Sequence, residues 1–185
     1  EGATVFFSGR RALLGAEAAK ATGATFIEAD VAREEDAART IATAAAGSGR
    51  VDVLVNNAGG VAGGGRLEST SLESFDSTIA VHVRGALAHI KYVSAMMRAQ
   101  QQGSIINIGS VAGHRAGYAS SISYGVAKAA VIQLSRCAAL ELGEDGIRVN
   151  SISPGGIATG IFGKAMGMES AAAEATAEKA KIALA

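Results

Sequence analysis

Two stretches, VDVLVNN (51–57) and GSIINIGS (103–110), are apolar for longer than an alternating, half-buried strand allows. Continuous apolar runs of this length belong to strands covered on both faces, and such strands need helices above and below them. The rest of the chain alternates accordingly. ATVFFS (3–8), ATFIEAD (24–30) and the start of GIRVNSISPGG (146–156) read as strands, while 10–21, 34–46, 74–98 and 123–143 have helical spacing. Leu13, Leu14, Ala18 and Ala21 share one side of the first helix, and Ala37, Ile41 and Ala45 one face of the second. Residues 159–185 look helical and weakly amphipathic. This order predicts an α/β fold, a doubly wound parallel sheet with helices on both faces, forming a single domain over residues 1–185.

Composition narrows the function classes. With 185 residues and a formal net charge of zero, the chain offers no electrostatic case for nucleic acid or an anionic membrane. No apolar run approaches the ~18–20 residues that span a bilayer, and no signal-peptide pattern is visible, so a cytoplasmic protein is expected. The single cysteine, Cys137, cannot form an internal disulfide and is expected as small core filler in a helix. No metal site is expected.

Four short stretches carry chemistry. VNNAGG (55–60) ends a strand in small residues that let a ligand lie close to the backbone, and its Asn amides can tie neighbouring strand ends together. INIGSVAG (106–113) places Ser110 at the end of the next strand, where a hydroxyl can donate to a substrate oxygen. SSISYGVAKAA (120–130) sets Tyr124 and Lys128 four apart, hence on one helix face. An ammonium beside a phenol favours phenolate, which suits acid–base work near neutrality. PGGIATG (154–160) puts the only proline directly after a strand. Each stretch alone has a plain alternative: a strand-to-loop turn, a common terminal serine, a solvated surface pair, an ordinary turn.

In this order and at these separations the four together resemble the short-chain dehydrogenase/reductase family, from Gly2 to about Thr159. The resemblance implies a Rossmann-type sheet, a nicotinamide cofactor, and hydride transfer to or from a secondary alcohol or ketone carbon. Tyr124 then resembles the catalytic acid/base, and Lys128 the residue that favours its phenolate and holds the nicotinamide ribose. Ser110 resembles the donor that polarises the substrate carbonyl. Asn56, Ala58 and Gly59 match the strand end lining the cofactor. Asp30 and Val31 match the adenine contact, with a helix cap as the plainer reading of Asp30. Pro154, Gly155, Ile157 and Thr159 match the loop that grips the carboxamide. Residues 159–185 fall in the family's substrate lid, and family-like packing implies a homotetramer or homodimer. His114, Arg115 and Tyr118 border the expected pocket without fixing the substrate.

In FFSGRR (6–11), Gly9, Arg10 and Arg11 stand where an acid would select NAD, and two guanidinium groups can bind a 2′-phosphate. NADP(H) is favoured, and NAD(H) stays open if Arg10 stacks on adenine and Arg11 is solvated. Two departures from the family pattern stand out. VHVRG places His82 where the family has a catalytic Asn that supports a helix irregularity and a relay water, so a relay role for His82 is an expectation. The family's first strand, its glycine-rich phosphate loop and its final strand have no counterpart in the sequence. The absent first strand belongs between those at 3–8 and 51–56, so the chain is expected to be an excerpt of a longer protein. Two other readings are weighed: a catalytically silent dinucleotide-binding relative acting as sensor or scaffold, and a sugar-nucleotide epimerase or dehydratase.

Overall fold

The computed structural model describes residues 2–60, 66–116 and 121–157. In chain order these form β1 (Phe6–Gly9), α1 (Ala12–Thr22), β2 (Thr25–Glu28), α2 (Glu34–Ala45), β3 (Val53–Asn56) and α3 (Leu72–Ile79). A π-helical turn (Ala80–Arg84), α4 (Gly85–Gln100), β4 (Gly103–Ile108), α5 (Ile122–Leu142) and β5 (Ile147–Ile152) complete it. Every strand pair is parallel: β1 with β2, and β3 with β4 with β5. No ladder joins β1 to β3 among the described residues. The architecture is α/β, parallel sheet flanked by helices. The expected lid, 159–185, lies outside the described residues.

Local chemistry explains the boundaries. The Ser71 and Ser121 side chains cap α3 and α5 by accepting from Ser74 N and Tyr124 N. Between α5 and β5 the chain reverses at Gly146, whose φ is 72°. A Cβ there would stand 2.5 Å from the Gln101 carbonyl oxygen, so the turn requires glycine both for its backbone angle and for space.

Four expectations need correction. The run 51–57 was expected to be covered on both faces, yet Val53 and Val55 are 55% and 51% exposed. Among the described residues β3 is an edge strand, pairing only with β4. Leu13 and Leu14 do not seat α1: Leu13 is 83% exposed and Gly15 is the helix's buried residue. A Cβ at Gly15 would stand 2.3 Å from two carbons of the Phe26 ring, so smallness rather than apolar bulk docks this helix. The segment 74–98 is helical throughout but not uniformly α-helical, because the π turn interrupts it between α3 and α4. Cys137 is exposed, because the buried stripe of α5 runs through Val131, Ser135, Ala138 and Leu142 and leaves Cys137 on another side.

The core lies between α4, α5 and the β3–β4–β5 sheet, with Val93, Met97, Ile105, Leu142 and Ile147 fully enclosed. Ile41 of α2 joins the same cluster and Glu34 accepts from Lys91 Nζ (2.7 Å) and Tyr92 Oη (3.0 Å), so α2 is fastened to α4. The strand register sets Asn56 beside Asn107. Asn56 Nδ2 donates to Asn107 Oδ1 at 2.8 Å, and Asn107 Nδ2 donates to Ser135 Oγ on α5 at 2.9 Å. This chain ties two strands and a helix together just before the strands end. Asn107→Ala removes both bonds at a fully buried position, with an expected loss of about 2–4 kcal/mol in urea unfolding. A loss under ~0.5 kcal/mol would show that the amide network does not hold the strands.

Candidate active site

The parallel register brings the carboxyl ends of β3, β4 and β5 to one edge, the side on which ligands bind in such sheets. Ile108 and Ile152 are partners in the ladder. Two residues on from each, Ser110 and Pro154 are stitched together: Gly109 N donates to Ile152 O (2.7 Å) and Val111 N to Pro154 O (3.0 Å). Ser110 is buried, and its Oγ accepts from Ala112 N at 3.2 Å, which opens the 3₁₀ turn Val111–Gly113. That turn lies so close to α5 that a Cβ at Gly113 would stand 2.7 Å from the backbone carbon of Lys128.

Tyr124 lies in the first turn of α5 and Lys128 one turn later. Lys128 is buried, and its Nζ donates to Ile108 O at 2.7 Å, reaching the end of β4. The same Nζ is 5.7 Å from the centre of the Tyr124 ring. Burial lowers the lysine from 10.5 to about 8, which leaves the ammonium in the majority at neutral pH. Tyr124, Lys128 and the Ser110 segment are thus brought to one sheet edge.

His82 completes it from the π turn. It is 4% exposed, and its ring meets that of Tyr124 edge-on, centroids 5.6 Å apart and planes at 84°. Nε2 lies 2.8 Å from Gly60 O. Nδ1 is buried with no hydrogen-bond partner among the described residues. Beside it Asn56, Ala58, His82, His89, Lys128 and Val131 line a cavity of ≈ 20 Å³, the size of one water. Gly85 follows the π turn; a Cβ there would stand 2.8 Å from Val31 O, so the helix passes directly over the β2 exit.

At the other end of the site Gly9 closes β1 and the exposed Arg10 and Arg11 follow it. Arg10 Nη1 is 3.9 Å from Asp30 Oδ2. Asp30 also shapes its own turn: Oδ1 accepts from Ala32 N (3.0 Å), while its backbone N donates to Asp36 Oδ2 (2.8 Å). Asp30 is thus a turn residue and not the helix cap of the plainer reading, since Arg33 stands at the N-cap of α2. Gly155 and Ile157 are exposed beyond β5, and Thr159 and Tyr118 lie outside the described residues. Sequence reasoning missed Asn107, His89, Gly85 and the Gly60 carbonyl. A polar residue inside the apolar run IINIG was the available signal for Asn107; nothing in the sequence marked the Gly60 carbonyl.

Comparison with known proteins bears on the fold and the family. The family model described as enoyl-(acyl carrier protein) reductase matches residues 1–183. The chain belongs to the short-chain dehydrogenase/reductase family. Momilactone A synthase of Oryza sativa subsp. japonica is 37% identical over 153 residues, which are 82% of this chain and 55% of that protein. Among solved structures, ElxO with NADP bound superposes with a TM-score of 0.77 at 33% identity, covering 83% of this chain and 63% of that one. NAD+-bound xylitol dehydrogenase gives 0.77 at 30% identity, with coverages of 83% and 61%. The chain spans about half the length of the curated relatives it matches. No helix among the described residues is long and apolar enough to cross a membrane.

Burial and the neighbouring Lys128 hold His82 down from 6.5 to about 4, burial being the larger cause. Between those values the unfolded chain binds a proton that the folded chain refuses. His82 therefore adds stability that is complete above about 6.5 and is lost as the pH falls through about 4. The full effect is on the order of 3 kcal/mol. Wild type should lose more stability than His82→Asn between pH 7 and 4 in urea titrations; parallel curves would place a water-exposed, freely titrating ring at this position.

Proposed function

We propose that the protein is an NAD(P)-dependent oxidoreductase acting on a secondary alcohol or ketone, with NADP(H) preferred. The observation that carries this reading is the convergence of Tyr124, buried Lys128 and the Ser110 segment on one sheet edge, next to a strand exit built from small residues. The residues fit a dinucleotide. Ala58 and Gly59 leave exposed backbone at the β3 exit, Asn56 backs it, and Asp30 and Val31 stand in the turn after β2, where Val31 meets Gly85. Pro154, Gly155, Ile157 and Thr159 would grip the carboxamide.

When bound, the nicotinamide supplies or accepts the hydride. The chain's own residues handle the proton and the oxygen. The Ser110 hydroxyl donates to the substrate carbonyl oxygen and holds it at the strand end. Tyr124 Oη delivers a proton to that oxygen as it becomes an alkoxide, and in the oxidative direction takes the alcohol proton. Lys128, anchored on the Ile108 carbonyl, keeps a positive charge near the phenol. The one-water cavity beside Lys128, with His82 on its wall, supplies a place for a water that replaces the proton.

Tyr124→Phe should lower kcat by about 10²–10⁴-fold while nucleotide binding persists. Turnover that survives this change removes Tyr124 from the proton step. Arg10, paired among the described residues only with Asp30 at 3.9 Å, and the exposed Arg11 support the NADP preference. Arg10→Ala/Arg11→Ala should weaken NADPH at least about tenfold and NADH by much less; equal NADPH affinity in variant and wild type removes the preference. Exposed Leu87 on α4 and Val126 and Leu140 on α5 support self-association into a homodimer or homotetramer, and a monomer mass in light scattering would refute it.

A further inference from the structure

We propose that His82 is a positioning residue whose imidazole latches the β3 exit turn, Gly59 and Gly60, to the tyrosine-bearing end of α5. The role rests on the dinucleotide-binding reading of that turn. Three contacts define the latch. Nε2 stands 2.8 Å from Gly60 O and 3.3 Å from Gly60 N. One ring nitrogen cannot donate to the first and accept from the second together, and the shorter contact assigns the proton to Nε2, which donates to the carbonyl. The turn is shaped around the ring: a Cβ on Gly59 would come 2.7 Å from Cε1 and 3.2 Å from Nδ1. On its other side the ring abuts Tyr124 edge-on, at 5.6 Å between centroids.

A helix side chain reaches this far because the π turn carries His82 into the site, where the protein encloses it. Loss of charge on burial suits the arrangement, since the neighbouring Lys128 ammonium repels an imidazolium. Chain length matters as much as polarity. An asparagine at this position ends level with Nδ1 and Cδ2, one bond short of Nε2, and cannot donate to Gly60 O unless the turn moves. Glutamine places an amide nitrogen at the same number of bonds from Cβ as Nε2. The latch therefore holds backbone that faces the cofactor at a fixed distance from the phenol that handles the proton. It acts through the turn and through Tyr124, without touching the reacting atoms.

The test uses the full-length enzyme in five forms: wild type, Gly59→Ala, His82→Asn, His82→Gln, and Gly59→Ala combined with His82→Asn. NADPH and NADH Kd values come from fluorescence titration, kcat from steady-state turnover and Tm from nucleotide-free melting. Gly59→Ala alone should weaken the preferred nucleotide about tenfold or more, and by no more than about twofold in the His82→Asn background. His82→Asn should weaken nucleotide binding more than it lowers kcat, and His82→Gln should recover most of that affinity. An equal Gly59→Ala penalty in both backgrounds, or His82→Gln no better than His82→Asn, overturns the latch. Wild type that binds neither nucleotide overturns the dinucleotide reading and the latch's role with it. Wild type that binds, with Gly59→Ala binding equally well, overturns the latch alone.

Discussion

A single buried amide, that of Asn107, holds the geometry on which the site depends. It accepts from Asn56 on β3 and donates to Ser135 on α5, from near the end of β4. Parallel strands slide in register unless something fixes them, and a slip of one residue would turn every side chain to the opposite face. The amide chain prevents this one residue before β4 ends. The carbonyl that receives the Lys128 ammonium is that of Ile108, the next residue along. The position of the charge beside Tyr124 is thus inherited from the strand register, and the Ser110 segment follows from the same strand two residues later.

Most of the other buried polar groups among the described residues also lie near this edge. Lys128, His82, His89, Asn107, Ser110 and Ser135 are all enclosed, whereas the ion pairs sit at the surface. Exposed pairs such as Arg50 with Asp52 contribute little to stability. Enclosed groups are held by single, directed bonds: Lys128 by a carbonyl, Ser110 by an amide, His82 by Gly60 O. The protein spends its desolvation where orientation matters to chemistry.

Much of this was legible in the sequence. The alternation of strands and helices, the sheet class and the shared helix face of Tyr124 and Lys128 followed from periodicity and from i, i+4 spacing, which are local rules, whereas Ser110 was joined to them only by the family resemblance. What stayed hidden depends on partners distant in the chain. The exposure of Leu13 is set by the ring of Phe26 against Gly15, and no property of LLGAEAA announces it. The apolar run at 51–57 suggested cover on both faces, but burial depends on how many neighbours a strand has, not on its own residues. The His82 bond to Gly60 joins positions 22 apart through a backbone carbonyl, which carries no side-chain signature.

The π turn has a consequence for how α3 and α4 should be regarded. A π turn takes up one residue more than the α-helical turn it replaces, so the two helices form one continuous rod with a phase break of about a quarter-turn or more at Ala80–Arg84. Side chains before and after the break obey different clocks. The rod thereby separates two duties that a uniform helix would confound: α4 keeps Ile90, Val93 and Met97 against the core, while the bulge alone decides where His82 faces. Closing the bulge by a single deletion would give a more regular helix aimed at the wrong partner, and the fold and the chemistry could then part company at one peptide bond.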